Sequence, residues 1–403
     1  MNEIRVPLTS DTITNSEIDQ LRDWLGTYPK LTKGDLTLKF EREWSAEVGL
    51  RYSTFVNSGS SAILLTLSAM VAKGTLRPGK DKIVVPALSW LTDVSSPINL
   101  GFEVVLCDAN PIDLSLDLDH LERIFESDIS TRAVIVVSVL GLSPDMDRLV
   151  KMCRSANATL IEDVCESLGT DFNGNWLGTF GDASVYSLYY GHHVSTIEGG
   201  MISTDNEELD SVIRSMRSHG WSRDWSHDRT KAMNELYSID DFQSKYAFFY
   251  PGYNLRSTDL QAFIGRLQVP KIKRVADHRH QNFLAYNSVL SNINGLRLSD
   301  AISRSNCISN FAYPILFDSS DERSFAATLL EYAGVECRPL IAGSMGRQPF
   351  MKGLTSNQQT PFANMIHTQG MYLPNNHSMG QREIDIVAES LEPIVRRRAS
   401  RKA

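Results

Sequence analysis

Three short stretches of this 403-residue chain carry side chains able to do chemistry. Asn57-Ser58-Gly59-Ser60-Ser61-Ala62 runs into the apolar helical stretch Ile63 to Met70. Glycine and small hydroxyl residues opening a helix offer free N–H groups, hydroxyl donors and the positive end of the helix dipole, which together make an anion cradle around Gly59 and Ser60. Taken alone, the stretch reads first as a plain N-capped helix. In Ile161-Glu162-Asp163-Val164-Cys165-Glu166 a carboxylate ends a buried run. It could keep a facing ring nitrogen protonated, although a capping Asp at a strand-to-helix turn accounts for it equally well. The third stretch holds His192 and His193, and imidazole moves protons near neutral pH.

These stretches need a frame. From about residue 50 to residue 205, short apolar runs alternate with helical patterns. Ile83–Val85, Val104–Leu106, Ala133–Val137 and Thr159–Ile161 read as strands buried on both faces, and Ala183–Tyr186 and Met201–Ser203 continue the series. Helical stretches such as Asp117–Phe125 and Met146–Ala156 lie between them. The alternation predicts an α/β fold with a mostly parallel sheet, whose ligands sit beyond the carboxyl ends of the strands. A long helical pattern from Asp259 to about Leu290 leaves this unit, and strand and helix signals at Phe311–Leu316 and Asp321–Tyr332 predict a smaller C-terminal α+β domain. The boundary is placed between 1–265 and 266–403.

Composition narrows the function classes. The 42% hydrophobic and 22% charged content is that of a soluble globular protein, and a net charge of -8 disfavours nucleic acid as a partner. The run Arg396-Arg397-Arg398-Ala399-Ser400-Arg401-Lys402 reads as a solvated, frayed terminus. No segment has the apolar length of a signal peptide or a membrane span. Cys107, Cys153, Cys165, Cys307 and Cys337 are scattered, odd in number and never in C-x-x-C spacing, so neither a disulfide framework nor a metal site is expected. A cytoplasmic protein follows as the default. No G-x-x-x-x-G-K-[ST] or G-x-G-x-x-G is present, which disfavours an ordinary nucleotide loop.

The run Ser184 to Gly200 is the most specific feature. With Pro86-Ala87-Leu88-Ser89-Trp90 and Pro251-Gly252-Tyr253-Asn254-Leu255-Arg256-Ser257-Thr258-Asp259-Leu260-Gln261-Ala262, it resembles the sugar aminotransferases of the DegT/DnrJ/StrS group, from about Leu31 to about Pro374. The resemblance implies a fold-type-I (aspartate-aminotransferase-like) enzyme of pyridoxal 5'-phosphate (PLP) and its amine form, pyridoxamine 5'-phosphate (PMP). In that setting Gly59, Ser60 and Ser187 would hold the cofactor phosphate, Trp90 would stack on the ring, Asp163 would pair with its nitrogen, and Glu166 would lie near the ring hydroxyl. Asn254 would reach the phosphate of a neighbouring subunit, which implies a homodimer with shared active sites. A lone Trp90 would otherwise be an ordinary core aromatic.

One departure from the family pattern decides the chemistry. Six residues before Glu198-Gly199-Gly200, where the aminotransferases carry the lysine that binds the cofactor covalently, stands His192, and no lysine occurs between Lys151 and Lys231. Histidine forms no stable imine with the cofactor aldehyde but can serve as acid and base. Within the family, this change resembles the sugar 3-dehydratases. The iron–sulfur type carries a cysteine cluster after a Ser-His-Gly-Trp motif. Here Ser218-His219-Gly220-Trp221-Ser222-Arg223 is followed by no cysteine before Cys307, so the match is to the iron-free type that acts on GDP-4-keto-6-deoxymannose. The implied activity is loss of the sugar's C3 hydroxyl, with L-glutamate recharging the cofactor and His192 moving the protons. His219, Arg223 and Arg256 could bind the nucleotide sugar or the glutamate carboxylate, or brace a loop. His193 reads as structural. The alternatives are a dehydratase or C4 aminotransferase acting on another nucleotide-linked keto-sugar, or a non-catalytic PLP-binding member.

Overall fold

The structure is a computed structural model that describes residues 4–296, 298–354 and 359–402. Helices α1 (Asn15–Leu25) and α2 (Asp35–Val48) lead to strand β1 (Tyr52–Val56), α3 (Gly59–Ala72), β2 (Lys82–Pro86), α4 (Leu91–Asn99) and β3 (Glu103–Cys107). Then come α5 (Leu118–Ser127), β4 (Thr131–Val137), α6 (Met146–Ser155) and β5 (Thr159–Asp163). A small hairpin, β6 (Asp171–Phe172) and β7 (Asn175–Trp176), precedes β8 (Ala183–Ser187), β9 (Gly200–Thr204), α7 (Glu207–Arg217) and α8 (His227–Tyr237).

Seven strands form one sheet in the order β1-β9-β8-β5-β4-β2-β3. The run from β8 to β3 is parallel, while β9 lies antiparallel to both β8 and β1. Two reversals cancel, so β1 points with the parallel set. The carboxyl ends of six strands therefore meet along one edge, together with the amino end of β9. The period of two fixes the layers: Ala133, Ile135 and Val137 of β4 face one apolar core, Val134 and Val136 the other. Strand β1 escapes an apolar scan because Ser53 and Thr54 are buried polar residues. Ser53 shares hydroxyl bonds of 2.8 Å with Ser45 and Ser203, and Thr54 donates to Asp210 at 2.8 Å.

The helix expected over Asp259–Leu290 is broken. It divides into α9 (Asp259–Gln268), a 3-10 turn at Val269–Lys271 and α10 (Ile272–Leu290). The cause is Pro270, which has no N–H to continue the ladder. Beyond α10 lie α11 (Ser299–Ser303), β10 (Ala312–Leu316), α12 (Ser320–Tyr332), β11 (Arg338–Pro339), α13 (Pro361–Gln369), β12 (Gly370–Pro374) and α14 (Gln381–Lys402). A second, antiparallel sheet has the order β10-β12-β11. Pro314 is tolerated there because β10 is an edge strand. The basic tail is not frayed as expected: it belongs to α14, and Arg398 forms ion pairs with Asp318 and Glu322 that hold its last turns against α12. At the other end of the chain, Val6 bridges to Val335, and Leu8 N–H donates to Glu336 at 2.8 Å. Among the described residues, no helix is long and apolar enough to cross a membrane.

Candidate active site

A cavity of about 390 Å³ opens at the edge where the strand ends meet. Gly59 and Ser60 reach it from the start of α3, Trp90 from the turn after β2, Asp163 and Glu166 from the end of β5, Ser187 from the end of β8, and His192 from the loop to β9. Phe311 and Tyr372 close it from the second sheet, and Leu8 and Thr9 from the N-terminal segment.

One end of the cavity suits an anion. Ser58 caps α3, its hydroxyl accepting from Ser61 N–H at 3.0 Å. The N–H groups of Gly59 and Ser60, the first two helical positions, have no intrahelical acceptor and remain available. Close approach of α3 to the sheet depends on glycine. A Cβ on Gly59 would lie 2.8 Å from the Ser187 Cβ, and one on Gly200 would lie 2.2 Å from the Ser58 carbonyl oxygen.

The other end suits a cation. Asp163 is buried and accepts from Cys165 N–H at 2.8 Å. Burial pushes its carboxyl above the usual range, offset in part by that bond. Glu166 accepts from Leu140 N–H at 2.9 Å and is pushed up to about 7, by burial first and by the Asp163 charge after it. Leu140 sits in a left-handed turn (φ 53°) that brings this N–H to Glu166. Among the described residues, no lysine or arginine lines the cavity. Trp90 stands at its mouth, 57% exposed, rather than in the core.

The two histidines differ in what they touch. His192 Nδ1 lies 2.8 Å from the Cys165 carbonyl oxygen, which can only accept. Nδ1 therefore carries the hydrogen, and Nε2 keeps its lone pair. Burial pushes this imidazole down to about 4, with the charge of Arg279 acting the same way, so it is neutral at pH 7. Arg279 is itself buried among the carbonyls of Asn310, Phe311 and Asn375. The ring of Phe311 packs 5.3 Å from that of His192. His193 is buried away from the cavity with Nε2 bonded to the Ser309 carbonyl at 2.9 Å, as a structural residue would be.

Four residues singled out in the sequence lie elsewhere. Asn254 and His219 are exposed, and the strand segment around Asn254 bridges to Ser218. Arg256 bridges through its backbone to Val56, just before the anion cradle, and is half-buried. The Arg223 guanidinium stacks 4.0 Å above the Trp221 ring. Sequence reasoning missed Asp93, Cys165, Phe311 and Tyr372 as lining residues. Asp93 could have been found one helical turn after Trp90; Phe311 and Tyr372 arrive through tertiary packing and leave no local signal.

An anion cradle facing buried carboxyls across one cavity fits the charge pattern of PLP, a phosphate at one end and a protonated ring nitrogen at the other. A model of the DegT/DnrJ/EryC1/StrS aminotransferase family matches residues 11–392. The GDP-4-keto-6-deoxy-D-mannose 3-dehydratase of Escherichia coli O55:H7 is 30% identical over 399 residues, covering 96% of this chain and 100% of that protein. A solved structure of E. coli GDP-4-keto-6-deoxy-D-mannose-3-dehydratase with bound hydrated PLP superimposes with a TM-score of 0.87 at 28% identity, covering 97% of this chain and 100% of that one. A second structure of such a 3-dehydratase, with a trapped PLP–glutamate geminal diamine, gives 0.86 at 28% identity over 96% and 100%. The chain belongs to the DegT/DnrJ/EryC1/StrS aminotransferase family.

Proposed function

We propose that this protein is a PLP/PMP-dependent 3-dehydratase that removes the C3 hydroxyl of a nucleotide-linked 4-keto-6-deoxyhexose, GDP-4-keto-6-deoxymannose, with L-glutamate as amino donor. The observation that carries the reading is His192: it stands in the lysine position, its Nδ1–H is fixed on the Cys165 carbonyl, and no lysine among the described residues lines the cavity. The relatives that match this chain in length and fold are GDP-4-keto-6-deoxy-D-mannose 3-dehydratases, which supports the reading.

Bound PLP would supply an electron sink and, in its PMP form, an amine for the sugar's C4 ketone. Gly59, Ser60 and Ser187 would bind its phosphate, Trp90 would cover its ring, Asp163 would keep the ring nitrogen protonated, and Glu166 would lie near the ring hydroxyl. The Nε2 atom of His192 moves the proton at the cofactor's C4′ carbon and delivers a proton to the departing C3 oxygen, since hydroxide alone is a poor leaving group. Phe311 and Tyr372 help exclude water while that proton is in transit. The electrons balance: glutamate leaves as 2-oxoglutarate and ammonia, giving up two electrons, and the sugar C3–O bond is reduced to C3–H.

The chain works as a homodimer in the cytoplasm, with Asn254 serving the partner's phosphate site and His219, Arg223 and Arg256 meeting substrate or glutamate at the shared boundary. In this reading residues 1–265 make the cofactor-binding unit and 266–403 the smaller domain. Incubation of the protein with GDP-4-keto-6-deoxymannose, PLP and glutamate should yield a 4-keto-3,6-dideoxy sugar and 2-oxoglutarate. An amino sugar as product would make the chain an aminotransferase, and no turnover of either reactant would sink the proposal.

A further inference from the structure

Asp93 has no part in the reading above, yet it lines the same cavity. It sits in the first turn of α4, one turn after Trp90, with none of its surface exposed. Among the described residues, no N–H or O–H donor reaches either carboxylate oxygen in good hydrogen-bond geometry; the nearest polar neighbours are the Asp163 carboxylate and the Trp90 backbone. The ionisable groups close enough to act on it are Asp163, Cys165 and Glu166 from the end of β5, while His192 lines the same cavity from the loop before β9; among the described residues no lysine or arginine lines the cavity. Two ionised carboxylates are acceptors only, so Asp93 and Asp163 can bond to each other only when one of them holds a proton. Two bare charges side by side in a dry wall would also cost more than either alone.

We infer that Asp93 is the protonated partner of Asp163: a positioning residue whose O–H donates to the Asp163 carboxylate, leaving Asp163 as the single anion that meets the cofactor's ring nitrogen. The division of roles follows the surroundings. Asp163 has the backbone N–H of Cys165 to stabilise its charge at 2.8 Å, whereas the Asp93 oxygens lack a donor in comparable geometry and the Trp90 backbone, which favours their charge, is the weakest of the influences on them. Burial and then the Asp163 charge hold the Asp93 carboxyl well above the usual range; burial raises Asp163 too, but its bonds to Cys165 and the contact with Asp93 offset part of that rise. The ring nitrogen then faces one full negative charge held at a fixed place by a neutral donor, not a charge free to shift between two acids.

The cofactor part of this inference rests on the PLP reading, and the shared proton does not. Two measurements on the native chain, Asp93→Asn and Asp93→Ala test them separately. In absorbance titrations with PLP, Asp93→Asn keeps a donor to Asp163 and should bind within about threefold of native. Asp93→Ala removes that donor and should bind at least about tenfold more weakly, the scale of one hydrogen bond to a charged group. If Asp93→Ala fails to fold, Asp93→Ser takes its place. Equal weakening by Asn and Ala would mean that a charge on Asp93 is what matters, and no weakening by Ala would remove Asp93 from the site; either result overturns the inference. Thermal melts of the apoprotein from pH 5 to 8 address the proton. A folded acid that holds its proton after the unfolded chain has released it loses stability as pH rises. The native melting temperature should therefore fall relative to that of Asp93→Asn, and parallel curves would overturn the shared proton even if no PLP binds. A native chain that binds no PLP, with diverging melts, would end the cofactor reading instead.

Discussion

A carbonyl oxygen has no proton to give, so the Cys165–His192 contact selects one imidazole tautomer and leaves Nε2 as the base. His192→Asn should retain PLP binding while lowering turnover about 10²–10⁴-fold, because Asn cannot carry a proton; near-native turnover would move the role to another residue. His192→Lys should trade dehydration for retention, with borohydride fixing PLP to the variant and not to the native chain. A second expectation concerns Glu166, held up to about 7 by burial. Its raised carboxyl keeps a proton that the unfolded chain loses near the ordinary carboxylate range, so stability falls as pH rises through that window toward 7. Glu166→Gln should flatten this loss, and urea melts of both forms at pH 5 and 7 measure it. At this scale the sequence displayed Gly59, Ser60, Asp163 and His192, because each stands in a short stretch whose neighbours share its task. Asp93 was hidden, since an acid in the first turn of a helix is ordinary.

At the scale of elements, α3 meets the sheet through glycine. Gly59→Ala would press a methyl against Ser187, separating two donors of the proposed phosphate cradle. The variant should fold yet bind PLP at least about tenfold more weakly, as expected when a charge-assisted bond is lost; titration by absorbance gives the value, and unchanged affinity would argue against the cradle. The parallel core strands were legible because they are buried on both faces and therefore uniformly apolar. Strand β1 was not, because hydroxyl bonds to Ser45, Ser203 and Asp210 replace apolar packing along it. The reversal of β9 was equally silent, since strand direction leaves no mark on composition. The single long helix failed at Pro270, a breaker whose meaning was plain from the residue itself.

For the molecule as a whole, the proposed dimer makes a quantitative statement. If Asn254 serves the neighbouring subunit, co-expressed His192→Asn and Asn254→Ala chains should recover about a quarter of native activity, since half of randomly paired dimers are mixed and each mixed dimer holds one intact site. Recovery absent from separately purified, mixed and re-paired chains would place Asn254 outside the partner's cavity. The two-sheet organisation was readable from the change in pattern after residue 290, but the reach of Leu8, Phe311 and Tyr372 into one cavity was not, because it depends on how the pieces close. That closure also has a direction in time. Residues 52–204, which build the large sheet and both ends of the cavity, leave the ribosome well before Phe311 and Tyr372. A nascent chain that has emerged only as far as residue 310 therefore has the carboxyl-lined cleft without its Phe311 and Tyr372 wall, and that wall is made after the side chains it shelters.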